Sequence, residues 1–235
     1  MHEFALYSQV PSSRHNQVLA LLAGVTASQP ARSCELVLIF QPMQPPNAAL
    51  KKGAIPKPVV QTQRLYSQVT RQLYQPRIGL TDSNAWTLKV EELPQPGIQN
   101  MISRGYAEKV LAESDLDLYR GGSTQQKYVN QYLLDGHRCI HGNVVISMTK
   151  ILMVPEGTGA LEPLDAPLPV LDECKMLDPS GSYLLEACVR AEDGNNSKLM
   201  EQARDELLAF RKHMEGAIDL RVPDRLALDT RVKSN

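Results

Sequence analysis

Glu186, Arg190 and Glu192 fall at even spacing in a stretch that alternates polar and apolar residues, so on a strand they share one face. A row of that kind suits metal-assisted phosphate chemistry, but a hard cation takes several convergent oxygen ligands and one short row is not enough. Cys188 interrupts this row, the opening strand offers only Glu3 followed inward by Ala5 and Tyr7, and the hairpin over 128–155 carries no matching acidic row. The sheet interior is therefore expected to lack the ionisable rows that catalysis demands. A second set is His137-Arg138-Cys139-Ile140-His141, two imidazoles and a thiol at alternate positions. Same-face neighbours on a strand stand roughly 7 Å apart and a closed zinc site needs a fourth ligand, so these read as turn-proximal polar residues beside a buried cysteine. No GxSxG nucleophile turn occurs, and Gly157-Thr158-Gly159 fails the dinucleotide fingerprint. Asn195-Asn196-Ser197 fits a glycosylation acceptor but reads better as a turn and helix cap. No catalytic, cofactor-binding or metal residue is assigned, and no cofactor is expected.

The elements that would position these residues are mostly strands. Tyr128 to Pro155 reads as one long β-hairpin, with alternating arms joined at His141-Gly142-Asn143 and with Gly136 placed where a bulge or sharp bend is tolerated. Arms that long suit a strongly bent or closed sheet. His2–Val10 is a strand with Phe4, Leu6 and Val10 on one face; Pro11 ends it, Ser12 or Ser13 caps a helix to about Ala23, and Gly24 supplies its left-handed end. Cys34 to Gln41 is apolar on both faces and so covered on both. Val59 to Tyr74, Ala85 to Glu91 around Trp86, Ile98 to Ala107 and Tyr183 to Arg190 add further strands, and Ser114 to Arg120 a short helix capped by Ser114. After Ser197 as cap, Leu199, Ala203, Leu207, Phe210 and Met214 recur at steps of three and four, an amphipathic helix. Two Pro-rich stretches, at about 42–58 and 155–180, read as surface loops. About eight strands and two substantial helices, without regular strand-helix alternation, indicate one α+β domain over 1–235 whose antiparallel sheet curls shut under flanking helices.

Composition narrows the function classes. With 43% hydrophobic residues, 22% charged and a formal net charge of −1, the chain is ordinary for a globular domain and offers no global attraction for nucleic-acid phosphate. No apolar run reaches the length of a membrane span and no basic-then-apolar leader opens the chain, so an intracellular protein is expected. Cys34, Cys139, Cys174 and Cys188 are irregularly spaced without a CxxC pair, which favours reduced thiols.

The segment DGHRCIHGNVVISMTKILMVP resembles the corresponding hairpin of the family of subunit 18 of the Mediator complex, the transcriptional coactivator. MHEFALYSQVP followed by RHNQVLALLAGVTASQP, WTLKVEELPQPG and SYLLEACVRAEDG resemble fungal members of that family, in the same order along most of the chain. The resemblance implies a closed barrel related to the tunnel-type RNA triphosphatases. It further implies a non-catalytic subunit of the Mediator head module that links regulators to RNA polymerase II in the nucleus. The expected partners are Mediator subunit 20 and the carboxy-terminal helix of subunit 8, with no membrane and no sequence-specific nucleic acid. The rival from the same fold is a metal-dependent triphosphatase acting through Glu3 and Glu186.

Overall fold

The computed structural model describes residues 1–43, 67–74, 85–120, 125–155, 164–166 and 168–232. In chain order the elements are β1 (His2–Val10), α1 (His15–Thr26), β2 (Ala31–Pro42), β3 (Ser67–Tyr74), β4 (Thr87–Glu91), β5 (Ile102–Val110), α2 (Glu113–Leu116), β6 (Gln126–His141), β7 (Val144–Met153), β8 (Lys175–Met176), β9 (Tyr183–Ala191) and α3 (Ser197–His213). Hydrogen bonding runs β6-β2-β3-β4-β5-β1-β9-β7, and β7 then pairs back to β6, so eight antiparallel strands close a barrel. The two residues of β8 only extend the edge of β7 where β9 leaves it. The expected fold class holds.

Closure gives every strand an inner and an outer face, and the register fixes which residues take each. Glu3 lies between Arg104 of β5 and Arg190 of β9, Ala5 between Ile102 and Cys188, and Tyr7 opposite Glu186. These odd residues of β1 point inward, leaving Phe4, Leu6 and Val10 outward in the apolar cluster that the helices cover. Onto that cluster α1 lays Val18 and Leu22, and α3 lays Ala203, Leu207 and Phe210, with Met214 at its end. Leu199, expected on the same stripe, is 40% exposed, while the next residue, Met200, packs against the cluster. A second outer cluster joins Leu36, Leu38 and Phe40 of β2 to Trp86, Leu133 and Tyr119, whose ring meets Phe40 edge-on at 5.0 Å.

Several local expectations shift by a residue or more. Asn196, not Ser197, caps α3: its side-chain oxygen accepts from the N–H groups of Lys198 (3.1 Å) and Leu199 (3.3 Å). We expect Asn196→Ala to lower stability by about 1 kcal/mol and Ser197→Ala to leave it nearly unchanged, read from urea midpoints. Neither serine caps α1, which follows a 3-10 turn at Ser12–Arg14, and the left-handed end is Ala27 (φ 51°) while Gly24 stays inside the helix. The short helix α2 begins at Glu113 without a side-chain cap. Gly136 marks no bulge, since Asp135↔Lys150, Gly136↔Thr149 and His137↔Met148 pair without a register shift. Its reason is close approach, because a Cβ there would meet the Met148 carbonyl oxygen at 2.0 Å. The expected strand residues before Ser67, and the loops at 44–58 and 156–163, lie outside the described residues; later in the second loop the chain forms a 3-10 turn at Leu171–Glu173 and β8.

Candidate functional site

The inward positions of four adjacent strands hold an ionic cluster, which corrects the expectation of an interior without ionisable rows. Glu3, 1% exposed, accepts at Oε1 from Nε (2.8 Å) and Nη2 (2.6 Å) of Arg104 and at Oε2 from Nε of Arg190 (2.9 Å). Arg104, 3% exposed, reaches across to Glu91 of β4 at 2.7 Å. Arg190 continues to Glu108 at 3.0 Å and lies 4.0 Å from the centroid of the Tyr106 ring, whose hydroxyl also donates to Glu108 at 2.9 Å. Deeper along β9, Glu186 accepts from the Tyr7 hydroxyl at 2.8 Å, and Lys89 of β4 pairs with Glu35 of β2. On β6 the Tyr132 phenol is pushed up by burial and then by the carboxylates of Glu91, Glu35 and Glu186. The readable signal was period-two charge at Lys89/Glu91 and at Arg104/Glu108. Glu192, expected beside Glu186, lies beyond the end of β9.

Among the described residues five carboxyl groups, Glu3, Glu35, Glu91, Glu108 and Glu186, face three cations, Lys89, Arg104 and Arg190, an excess of two negative charges that favours protonation of a carboxyl. Glu186 is the buried carboxyl with the strongest reason to hold a proton. Burial and then the Glu3 charge push this carboxyl up to about 7, the Tyr7 hydrogen bond opposing them. Burial also raises Glu91, against the pull of Arg104, and burial disfavours the Arg104 charge but is outweighed by Glu91 and Glu3, which raise that guanidinium. Because Glu186 in the fold binds its proton more tightly than the ordinary value of 4.5, the native state holds more protons between the two, and stability falls as pH rises from about 4.5 to about 7. We expect Glu186→Gln to remove that slope, a difference on the order of 2 kcal/mol at pH 8, read from urea midpoints at pH 5 and pH 8.

Chemically, the cluster is a clamp more than a cation site. Both oxygens of Glu3 already accept guanidinium hydrogens, so a metal ion binding there would have to displace two arginines that tie β1, β4, β5 and β9 together. Among the described residues no group of three or more His, Cys, Asp or Glu side chains is arranged to hold a metal ion. His137, Cys139 and His141 do share the outer face of β6, but they diverge. The His137 ring lies 5.5 Å from that of His15 on α1, whereas His141 faces Phe210 (5.7 Å) and His213 (6.1 Å) at the α3 end. Cys139 between them is buried, and burial pushes its thiol up to about 11. All four cysteines carry free thiols.

The barrel's mouth, where β1 ends and β9 begins, carries the other feature with functional potential. A carboxy-terminal strap crosses it: Arg221 bridges the backbone of Tyr7 in both directions (2.9 and 2.7 Å), and Val222 and Leu228 pack against the inward Ala5, Ile102 and Cys188. Arg225 then donates to the Pro94 carbonyl at 3.1 Å and Thr230 to that of Glu91. No periodicity announced this strap. Beside it opens a groove of about 730 Å³ between Tyr7–Gln9 of β1, Thr149–Ile151 of β7, Met176 of β8 with Leu177 and Asp178 after it, Tyr183 and Leu184 at the start of β9, and the strap itself.

Comparison with known proteins gives one consistent result. A family model described as Med18 protein matches residues 2–231. Mediator of RNA polymerase II transcription subunit 18 from Coccidioides immitis is 30% identical over 269 aligned residues that cover 99% of this chain and 100% of that one, and its counterpart from Aspergillus niger is 26% identical over 272, at the same coverage. Among solved structures, the Mediator head module of Schizosaccharomyces pombe contains a chain that superposes with a TM-score of 0.70 at 15% identity, over 95% of this chain and 99% of that chain, a likeness of fold.

Proposed function

We propose, from the premise that this chain belongs to the Med18 protein family, that it is a non-catalytic docking subunit of the Mediator head module. In this role it carries contacts that help link transcription regulators to RNA polymerase II in the nucleus. The observation that supports docking over chemistry is the contrast between the barrel's two polar and apolar features. Inside, the carboxylates are held by arginines and a tyrosine in a closed ionic clamp; at the mouth, apolar side chains line an open groove. The partners that fit are Mediator subunit 20, as a heterodimer, and the carboxy-terminal helix of subunit 8. Co-expression of the three chains is expected to yield a stable ternary complex on size exclusion, with no phosphate released from nucleoside triphosphates in magnesium or manganese. Metal-dependent turnover that disappears in Glu3→Gln and Glu186→Gln would instead establish the triphosphatase.

A further inference from the structure

We propose that His15 and His137, which meet across the seam between α1 and β6, form an open two-imidazole site for a divalent transition-metal ion such as zinc. Their ring centroids stand 5.5 Å apart, with the planes tilted by 53°. An ion about 2.1 Å from one nitrogen of each ring, with roughly tetrahedral angles, would set the centroids about 5 Å apart, so the pair needs little movement to bind. The nitrogens concerned are His15 Nε2 and His137 Nδ1, both shielded from solvent and both without a hydrogen-bond partner. Orphans of this kind are uncommon inside a protein and cost free energy unless something engages them.

The surroundings fix both the ring orientations and the lone pairs. Nδ1 of His15 lies 3.0 Å from Asn16 Oδ1, an atom that only accepts, so the neutral ring carries its hydrogen on Nδ1 and its lone pair on Nε2. A contact of this sort is how metal-binding histidines are usually oriented. The same ring stacks on Tyr183 at 4.4 Å and 22°. His137 is set in β6 between Arg32 of β2 and Met148 of β7. Burial, then His15 and Arg32, hold its imidazolium below the usual range against the pull of Asp135, which leaves a neutral ligand at neutral pH. The cations nearby are already engaged, Arg32 by Asp135 at 3.0 Å and Lys150 by the Tyr183 ring at 4.5 Å. Two protein ligands leave the other coordination positions to water, so affinity is modest and the site is open. Imidazole donors favour zinc, nickel and copper over magnesium and calcium. A bound ion would tie the first turn of α1 to the barrel wall.

The test titrates the untagged full chain with zinc chloride against a chromogenic chelator. One ion per chain is expected, and the melting temperature should rise by about 4 °C when free zinc is about tenfold above Kd. His15→Ala and His137→Ala should each weaken binding at least about tenfold, whereas His213→Ala, from the other histidine pair on the barrel wall, leaves it unchanged. Imidazole nitrogen spectra of the wild type add a readout that does not depend on how a variant folds. Zinc should move the signals of His15 Nε2 and His137 Nδ1 and leave those of His141 and His213 in place, and magnesium should move none of them. No zinc uptake at millimolar concentration, unchanged affinity in both alanine variants, or movement of the His141 and His213 signals instead would each overturn the site. The docking role stands or falls separately, by assembly with its partners.

Discussion

Replacing Arg104 with methionine is expected to cost about 3–5 kcal/mol of stability, the largest single-residue loss in the barrel interior. The guanidinium is nearly inaccessible and is the only described group that bonds both Glu3 and Glu91, through separate nitrogens. Its loss leaves two carboxylates in a poorly solvated space with a like charge for a neighbour. For a chain of this size the melting temperature should drop by on the order of 10 °C. Arg104→Lys should recover only part of the loss, because one ammonium cannot span both acids with the same fork. The deficit should also shrink toward pH 5, where the stranded carboxyls take up protons, and adding Glu3→Gln to Arg104→Met should restore a further part. A loss below about 1 kcal/mol at pH 7.5 in urea denaturation would mean that water solvates the cluster and that the clamp contributes little.

Gly136→Ala should destabilise by at least about 3 kcal/mol, at the upper end of overpacking effects, because the obstacle is backbone. The added Cβ would meet the Met148 carbonyl oxygen at 2.0 Å and the Thr149 Cα at 2.7 Å. Gly136 also pairs with Ser33 of β2 and Thr149 of β7 at once, so relief of the clash must open one of the two seams on either side of β6. Gly105→Ala supplies the contrast. There the three nearest atoms to the Cβ all belong to the Glu92 carboxylate, which can swing away, and a change under about 1 kcal/mol is expected. Thermal melts of the two variants side by side separate a backbone obstacle from a side-chain one. Equal losses would count against the geometry given for Gly136.

The hairpin at 126–153 and the stripe of α3 were legible because each is a local period, two or 3.6, repeated over enough residues to outweigh chance. Cap positions were less so: Asn196 and Ser197 are both competent caps, and only the path of the turn selects between them. The interior clamp was half visible. Glu3, Glu186 and Arg190 were picked out by type, but their partners Arg104, Glu91 and Glu108 come from strands whose inward face depends on register with β1. The divergence of His137 and His141 was equally hidden, since it follows from which helix each ring meets.

What the chain alone determined is the kind of structure it forms: alternating strands too long for a flat sheet, two helices with one apolar face each, and a charge balance without a bias toward phosphate. Family membership was legible in the same way, as ordered blocks of residues along one dimension. Tertiary structure decided everything that depends on closure. Only when β7 pairs back to β6 do Glu3, Arg104, Arg190 and Glu91 share an enclosed space, and only when Arg221 pairs with Tyr7 does a groove form beside Leu184 and Lys150. The physical reason is range. Periodicity records which face of its own element a residue takes, whereas a clamp or a groove is a relation between residues about a hundred or more positions apart, set by register and by the strap across the mouth.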